Sequence, residues 1–163
     1  MAYDIYDASI PPLIHMLSGL SKVLSKGEAH GGIDPNEARL APDMLPLKSQ
    51  VFIAGDMAKG CGARLAGVEI PKYEDTETTF AELKARVAKT IDFLKSLDRK
   101  AFAGSEDKHI VLKFPTNTFE FNGADYVGKF VLPNVYFHCT TAYGILRNRG
   151  VVLTKGDYIG GGA

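Results

Sequence analysis

With 163 residues, 45% of them hydrophobic, the chain fits one domain (1–163) and is long enough to bury about two thirds of the surface its unfolded form exposes. Lys plus Arg and Asp plus Glu are 19 each, so the charge balance supplies no pull toward nucleic acid or an anionic membrane. Cys61 and Cys139 lack paired spacing and fall on apolar helical faces, which predicts buried, reduced thiols of a cytoplasmic protein rather than a disulfide or zinc pair. The N-terminal apolar run has no basic segment before it and no cleavage-like end. It reads as a core helix, and no other stretch approaches membrane-spanning length.

Four segments carry helical periodicity. In the first, Ser9 is the predicted cap, Pro11 and Pro12 fall in the first turn, and Ile10, Leu13, Leu17, Leu20 and Leu24 recur at three and four until Gly27 ends the run. Asp34-Pro35-Asn36-Glu37 combines a capping pattern with proline, which predicts one helical turn over Glu37 to Leu40. Asp43 and Pro46 are expected to open the second helix. Its stripe is Leu47, Gln50, Val51, Ala54, Met57, Ala58, Cys61 and Leu65, closed by Gly67.

Val68 to Thr78 holds Pro71 and four acidic residues without periodicity, which predicts an extended surface connection long enough to cross a bundle. Thr79 and Glu82 then form a capping box for a helix buried through Phe80, Leu83, Val87, Ile91 and Leu94, with Glu82 and Arg86 spaced as an ion pair. From His109 to Phe121 the period changes to two on either side of Pro115-Thr116-Asn117, the pattern of a short hairpin. Asn122 is placed to cap the fourth helix, whose stripe is Val127, Phe130, Val131, Asn134, His138, Thr141, Ala142 and Ile145. Pro133 is expected to kink it by deleting a backbone bond. The tail past Tyr158 is glycine-rich and is expected to be loose. The elements together predict an all-α four-helix bundle with a minor β-hairpin before the last helix.

The strings Glu37 to Met44, Gln50 to Asp56, Arg64 to Gly67, Thr78 to Leu83 and Phe137 to Tyr143, in this order of elements, resemble an uncharacterised bacterial and fungal family within the DinB/YfiT-like superfamily of metalloenzymes. The resemblance spans nearly the whole chain. It implies a four-helix bundle with a long second connection, and a divalent metal held by one histidine of the second helix and two of the fourth. Matching Tyr143-Gly144-Ile145-Leu146 to the run that follows those histidines sets His138 and Ala142 at the fourth-helix positions. A shift of one turn sets Asn134 and His138 there. In both registers Gln50 takes the second-helix position and a single histidine survives.

Two functional expectations follow. One is a hydrolase or thiol-dependent transferase of degenerate site, binding a small polar ligand and at most a weakly held zinc or nickel ion through His138. The other is a non-catalytic homodimer that has lost the site. The candidate pocket comprises His138, Asn134, Gln50 and Tyr143, with Asp43 and Asp56 as conceivable carboxylate ligands and Arg39 as an anion-recognising group at its mouth. The plainer expectation is that His138, Asn134 and Gln50 satisfy one another in an otherwise apolar seam. A helix-turn-helix regulator is disfavoured by the absence of a basic recognition helix.

Overall fold

A computed structural model describes residues 3–159. Its first helix, α1 (Ile5–His30), begins earlier than its prolines suggest. Asp4 caps it, accepting from the backbone of Asp7 at 3.0 Å, and Asp7 answers the Asp4 backbone, so a capping box supersedes the expected Ser9 cap. Ser9 instead donates to the Ile5 carbonyl at 2.6 Å inside the helix. Pro11 and Pro12 therefore lie within the helix, where each gives up a backbone bond; the exposure of Pro11 puts part of that loss on the wet side. Gly27 does not end α1. It is a point of close approach, where a Cβ would collide with Leu146 and Phe80. The terminator is Gly31, at φ 74, a region open to glycine.

Residues 31–46 hold turns but no helix. The expected helical turn at Glu37 to Leu40 is replaced by a side-chain-capped turn, in which Asp34 Oδ1 accepts from the Asn36 backbone at 2.9 Å and from its amide at 2.7 Å. Local bonding of this kind competes with helix formation. The second helix, α2 (Leu47–Ala66), starts after Asp43, with Pro46 as a cap that offers no side-chain bond. Gly67, at φ 72, closes it in the left-handed conformation as expected.

The connection to α3 (Phe80–Ser96) is irregular and passes over the surface. It is fastened by Arg86, which is only 3% exposed. This guanidinium donates to Asp56 at 3.2 Å, Asp75 at 2.8 Å, Glu77 at 3.1 Å and the Glu74 carbonyl at 3.0 Å. The Phe52 ring lies 4.6 Å beneath it. Glu82 is consequently not its partner; that carboxylate completes the capping box with Thr79. The α3 stripe is as its spacing requires, with Phe80, Leu83, Val87 and Leu94 buried and Ile91 packed against them.

After a 3-10 turn (Arg99–Phe102) come β1 (Ile110–Lys113) and β2 (Thr118–Phe121), antiparallel, with Ile110 opposite Phe121. Asn122 accepts from the Asp125 backbone at 2.8 Å and starts the last long helical stretch. That stretch passes through a π-helical segment, Tyr126–Val131, into α4 (Leu132–Asn148). Leu132 donates to the Val127 carbonyl, one residue further back than in an α-helix. The wide turn lies just ahead of Pro133, so the break in the ladder that proline demands takes the form of a π-bulge. Ahead of the glycine-rich tail the chain is held: Val151 and Leu153 are buried, α5 covers Lys155–Ile159, and Asp157 pairs with Lys26 at 2.8 Å. The glycines beyond Ile159 lie outside the described residues.

The helices pack as a four-helix bundle in which α2 sits most extensively against α4, and α1 against α3. The second connection joins neighbours, α2 and α3, whereas α1 and α2 touch sparingly. No described helix is long and apolar enough to cross a membrane. Replacing Arg86 by Met is expected to cost about 2 to 3 kcal/mol. That is below the figure for a fully buried pair, because the Asp56 and Asp75 carboxylates retain water. The check is a urea midpoint together with limited proteolysis, in which cleavage within residues 68–79 should quicken more than global unfolding does.

Candidate functional site

Two polar residues of the α2–α4 seam, Gln50 and His138, meet in one hydrogen bond. His138 Nδ1 lies 2.7 Å from Gln50 Oε1, and the Gln50 amide nitrogen donates to the Leu45 carbonyl at 2.9 Å. A carbonyl can only accept, which fixes the orientation of the Gln50 amide and turns its oxygen to the histidine. Nδ1 must then carry the proton, and Nε2 is the acceptor. Gln50 is buried, at 2% exposure; His138 is half-buried, with the Phe137 ring edge-on at 5.2 Å. Burial holds the imidazole below its ordinary 6.5, so it is neutral at neutral pH.

The other candidates do not converge there. Asn134 turns back along its own helix and donates to the Phe130 carbonyl at 2.7 Å. Tyr143 follows His138 by five residues and so points well round the helix; its hydroxyl donates to the Leu153 carbonyl at 3.3 Å, and its ring meets Tyr158. Both serve the tail and the helix rather than a pocket at His138. Asp56 is engaged by Arg86 and by Lys59, the latter at 2.9 Å. Asp43 is exposed on the turn before α2. Arg39 donates to the carbonyls of Met44 at 3.2 Å and Glu37 at 3.3 Å and lies 3.8 Å from the Glu37 carboxylate, so its guanidinium fastens the loop ahead of α2.

Among the described residues no group of three or more His, Cys, Asp or Glu is placed to hold a metal ion. Both thiols are buried and pushed up to about 12 by desolvation, so neither offers a thiolate at neutral pH. One imidazole nitrogen beside neutral amides does not fit a closed zinc or nickel centre, which needs charged or further nitrogen donors.

A second polar feature lies further along the same seam and was not anticipated. Arg64 folds back over Gly60, where a Cβ would collide with its guanidinium, and Nη1 donates to the Tyr126 hydroxyl at 2.9 Å. The Gly60–Arg64 spacing of one helical turn was its sole trace in the sequence. A cavity of about 550 Å³ opens beside the pair, bounded by α2, the second connection, the hairpin and the π-helical segment. Because Gln50 meets His138 and Arg64 meets Tyr126, α2 and the last helical stretch run antiparallel.

This bundle, with its hairpin and its single-histidine seam, is of the DinB-like class. A DinB family member protein from Shewanella denitrificans is similar to it at 37% identity and a TM-score of 0.85, over 97% of this chain and 92% of that one. Residues 5–159 match the family described as a domain of unknown function, DUF1993, and the chain belongs to that family. No curated protein matches.

The sign of the histidine's effect on stability follows from its burial. The folded chain takes up this proton at lower pH than the unfolded chain does, so the contribution is complete above 6.5 and is lost as pH falls toward the folded-state value. His138→Gln keeps a donor for Gln50 and removes the titration. Its denaturation midpoint should fall less between about pH 7 and about pH 5 than that of the parent chain.

Proposed function

We propose that this protein binds a small polar ligand at His138, with Nε2 as a fixed hydrogen-bond and proton acceptor, and that it does so without a tightly held metal. The observation that carries this reading is the chain from the Leu45 carbonyl through Gln50 to His138 Nδ1. It orients the ring, sets its tautomer and leaves one nitrogen free. A base held in this way suits proton abstraction from water, a thiol or an alcohol, the step that hydrolase and thiol-dependent transferase reactions share. Gln50 is a positioning residue here, because it acts through the imidazole.

Zinc or nickel supplied to the protein would meet one good nitrogen donor and is expected to bind weakly, keeping water at its other positions. Untagged protein analysed for metals should carry well below one equivalent, and titration calorimetry should give no stoichiometric tight binding. Nitrogen-resolved NMR of His138 should report the Nδ1–H tautomer. A stoichiometric zinc or nickel ion, or the Nε2–H tautomer, would overturn the reading.

A second reading, a homodimer, is favoured by one feature. Tyr3 and Tyr136 are exposed, and beside them a groove of about 540 Å³ runs between the start of α1 and the last helical stretch, with Ile5, Val127, Gly128 and Leu132 in its lining. We propose a second copy of the chain as the cover for this face, in a cytoplasmic protein. Sedimentation over a concentration series should show a dimer that Leu132→Lys dissociates; a monomer at every concentration would end the proposal.

A further inference from the structure

We infer that the cavity between α2, the second connection and the hairpin is a binding site for an organic anion with a flat, apolar body, recognised by Arg64 and Tyr126 and separate from His138. The seam itself gives the separation. Gln50 and Arg64 are fourteen residues apart on α2, about 21 Å at 1.5 Å per residue. Neither Gln50 nor His138 lines the cavity.

The charge of the ligand follows from the partners of the cations. Arg64 is half-buried, and its side-chain hydrogen bond goes to a neutral phenol. It has no ion-pair partner among the described residues, and neither has Lys72, which also lines the cavity. The one carboxylate in the lining, Asp56, is already engaged by Lys59 and Arg86. A guanidinium drawn out of bulk water beside neutral atoms is stabilised by an anion that completes its bonding.

The recognition geometry is a two-donor fork. The Tyr126 oxygen accepts from Arg64 Nη1, which leaves its own proton to donate, while Arg64 keeps further N–H groups for the same anion. Burial holds the phenol up at about 12, so the proton is present at neutral pH. Gly60 is what permits the fork: any side chain there would push the guanidinium away from Tyr126.

The remaining walls are apolar. Met57, Ile70, Leu112, Phe114 and Phe130 supply side chains suited to an aromatic or short aliphatic body, and about 550 Å³ is in the range of small-molecule sites. Phosphate or sulfate alone would leave these walls unused, so the body contributes as well as the charge.

The experiment is calorimetric or NMR titration of the full chain with 2-naphthoate, 2-naphthamide and acetate at low salt. Naphthoate should bind saturably, with the neutral amide and the bodiless acetate each at least about tenfold weaker. Arg64→Met should reduce naphthoate binding to the level of the amide. Lys72→Met, on an exposed loop where folding is not at risk, should weaken it by a smaller factor, and His138→Gln should leave it unchanged. Equal binding of naphthoate and naphthamide, no saturable binding of naphthoate at millimolar concentration, or full retention of affinity in Arg64→Met or Lys72→Met would each overturn the site. A loss of naphthoate binding in His138→Gln would overturn its independence.

Discussion

The close approach that α2 allows its neighbours is the constraint from which the rest of the bundle follows. This helix is buried on nearly every side, through Ala54, Gly55, Ala58, Gly60, Cys61, Gly62 and Ala63 as much as through its large residues. A Cβ at Gly62 would strike Leu94 and Leu97 of the α3 region, and one at Gly55 would touch Thr90. Small residues on several faces let α3 and α4 both pack closely on a single helix. The cost is a loss of intrinsic helix stability at each glycine, about 1 kcal/mol relative to alanine, which tertiary packing must offset.

A helix so enclosed holds polar side chains away from bulk water, and three of them reach a partner across a gap. Gln50 spans to His138. Lys59, 5% exposed, lies between Asp56 and the face of the Tyr73 ring. Asp56 in turn meets Arg86 from α3. These bonds join α2 to α4, to the second connection and to α3 respectively, so polar satisfaction and helix arrangement are one problem with one solution. Arg86 Nε remains without a partner while the rest of its guanidinium is saturated; the Phe52 and Tyr73 rings beside it supply a weaker, electrostatic contact.

The parts legible in the sequence were those set by periodicity. The stripe from Phe80 to Leu94, the αL stop at Gly67, the hairpin and the Asn122 cap all follow from local spacing. So does the meeting of Gln50 with His138, since two polar interruptions in apolar stripes have few other places to go. Failures came where local chemistry had two outlets. Asp34 and Asn36 carry a helix-start pattern but bond to each other, and Asp4 with Asp7 overrode a cap inferred from the prolines. Asn134 took its own helix's Phe130 carbonyl instead of joining His138, an option open to any short amide on a helix. The Arg86 cluster was hidden because two of its carboxylates, Asp75 and Glu77, lie on a stretch without periodicity, where side-chain direction has no sequence signal.

The antiparallel seam thus has two chemically different ends. At one, a neutral imidazole is held by an amide whose own bond to a backbone carbonyl leaves it no alternative orientation; at the other, a guanidinium rests on a neutral phenol, with no ion-pair partner among the described residues. The bundle that DinB-like proteins share supplies the seam. A metal centre built on three imidazoles would draw its rigidity from the ion, since ligands around a cation hold one another in place. In this chain a hydrogen-bonded amide orders the ring: Gln50 donates to the Leu45 carbonyl, and its oxygen accepts from His138 Nδ1. This explains how a lone histidine can stay oriented in a half-buried position, where an unfixed ring would be free to turn toward water.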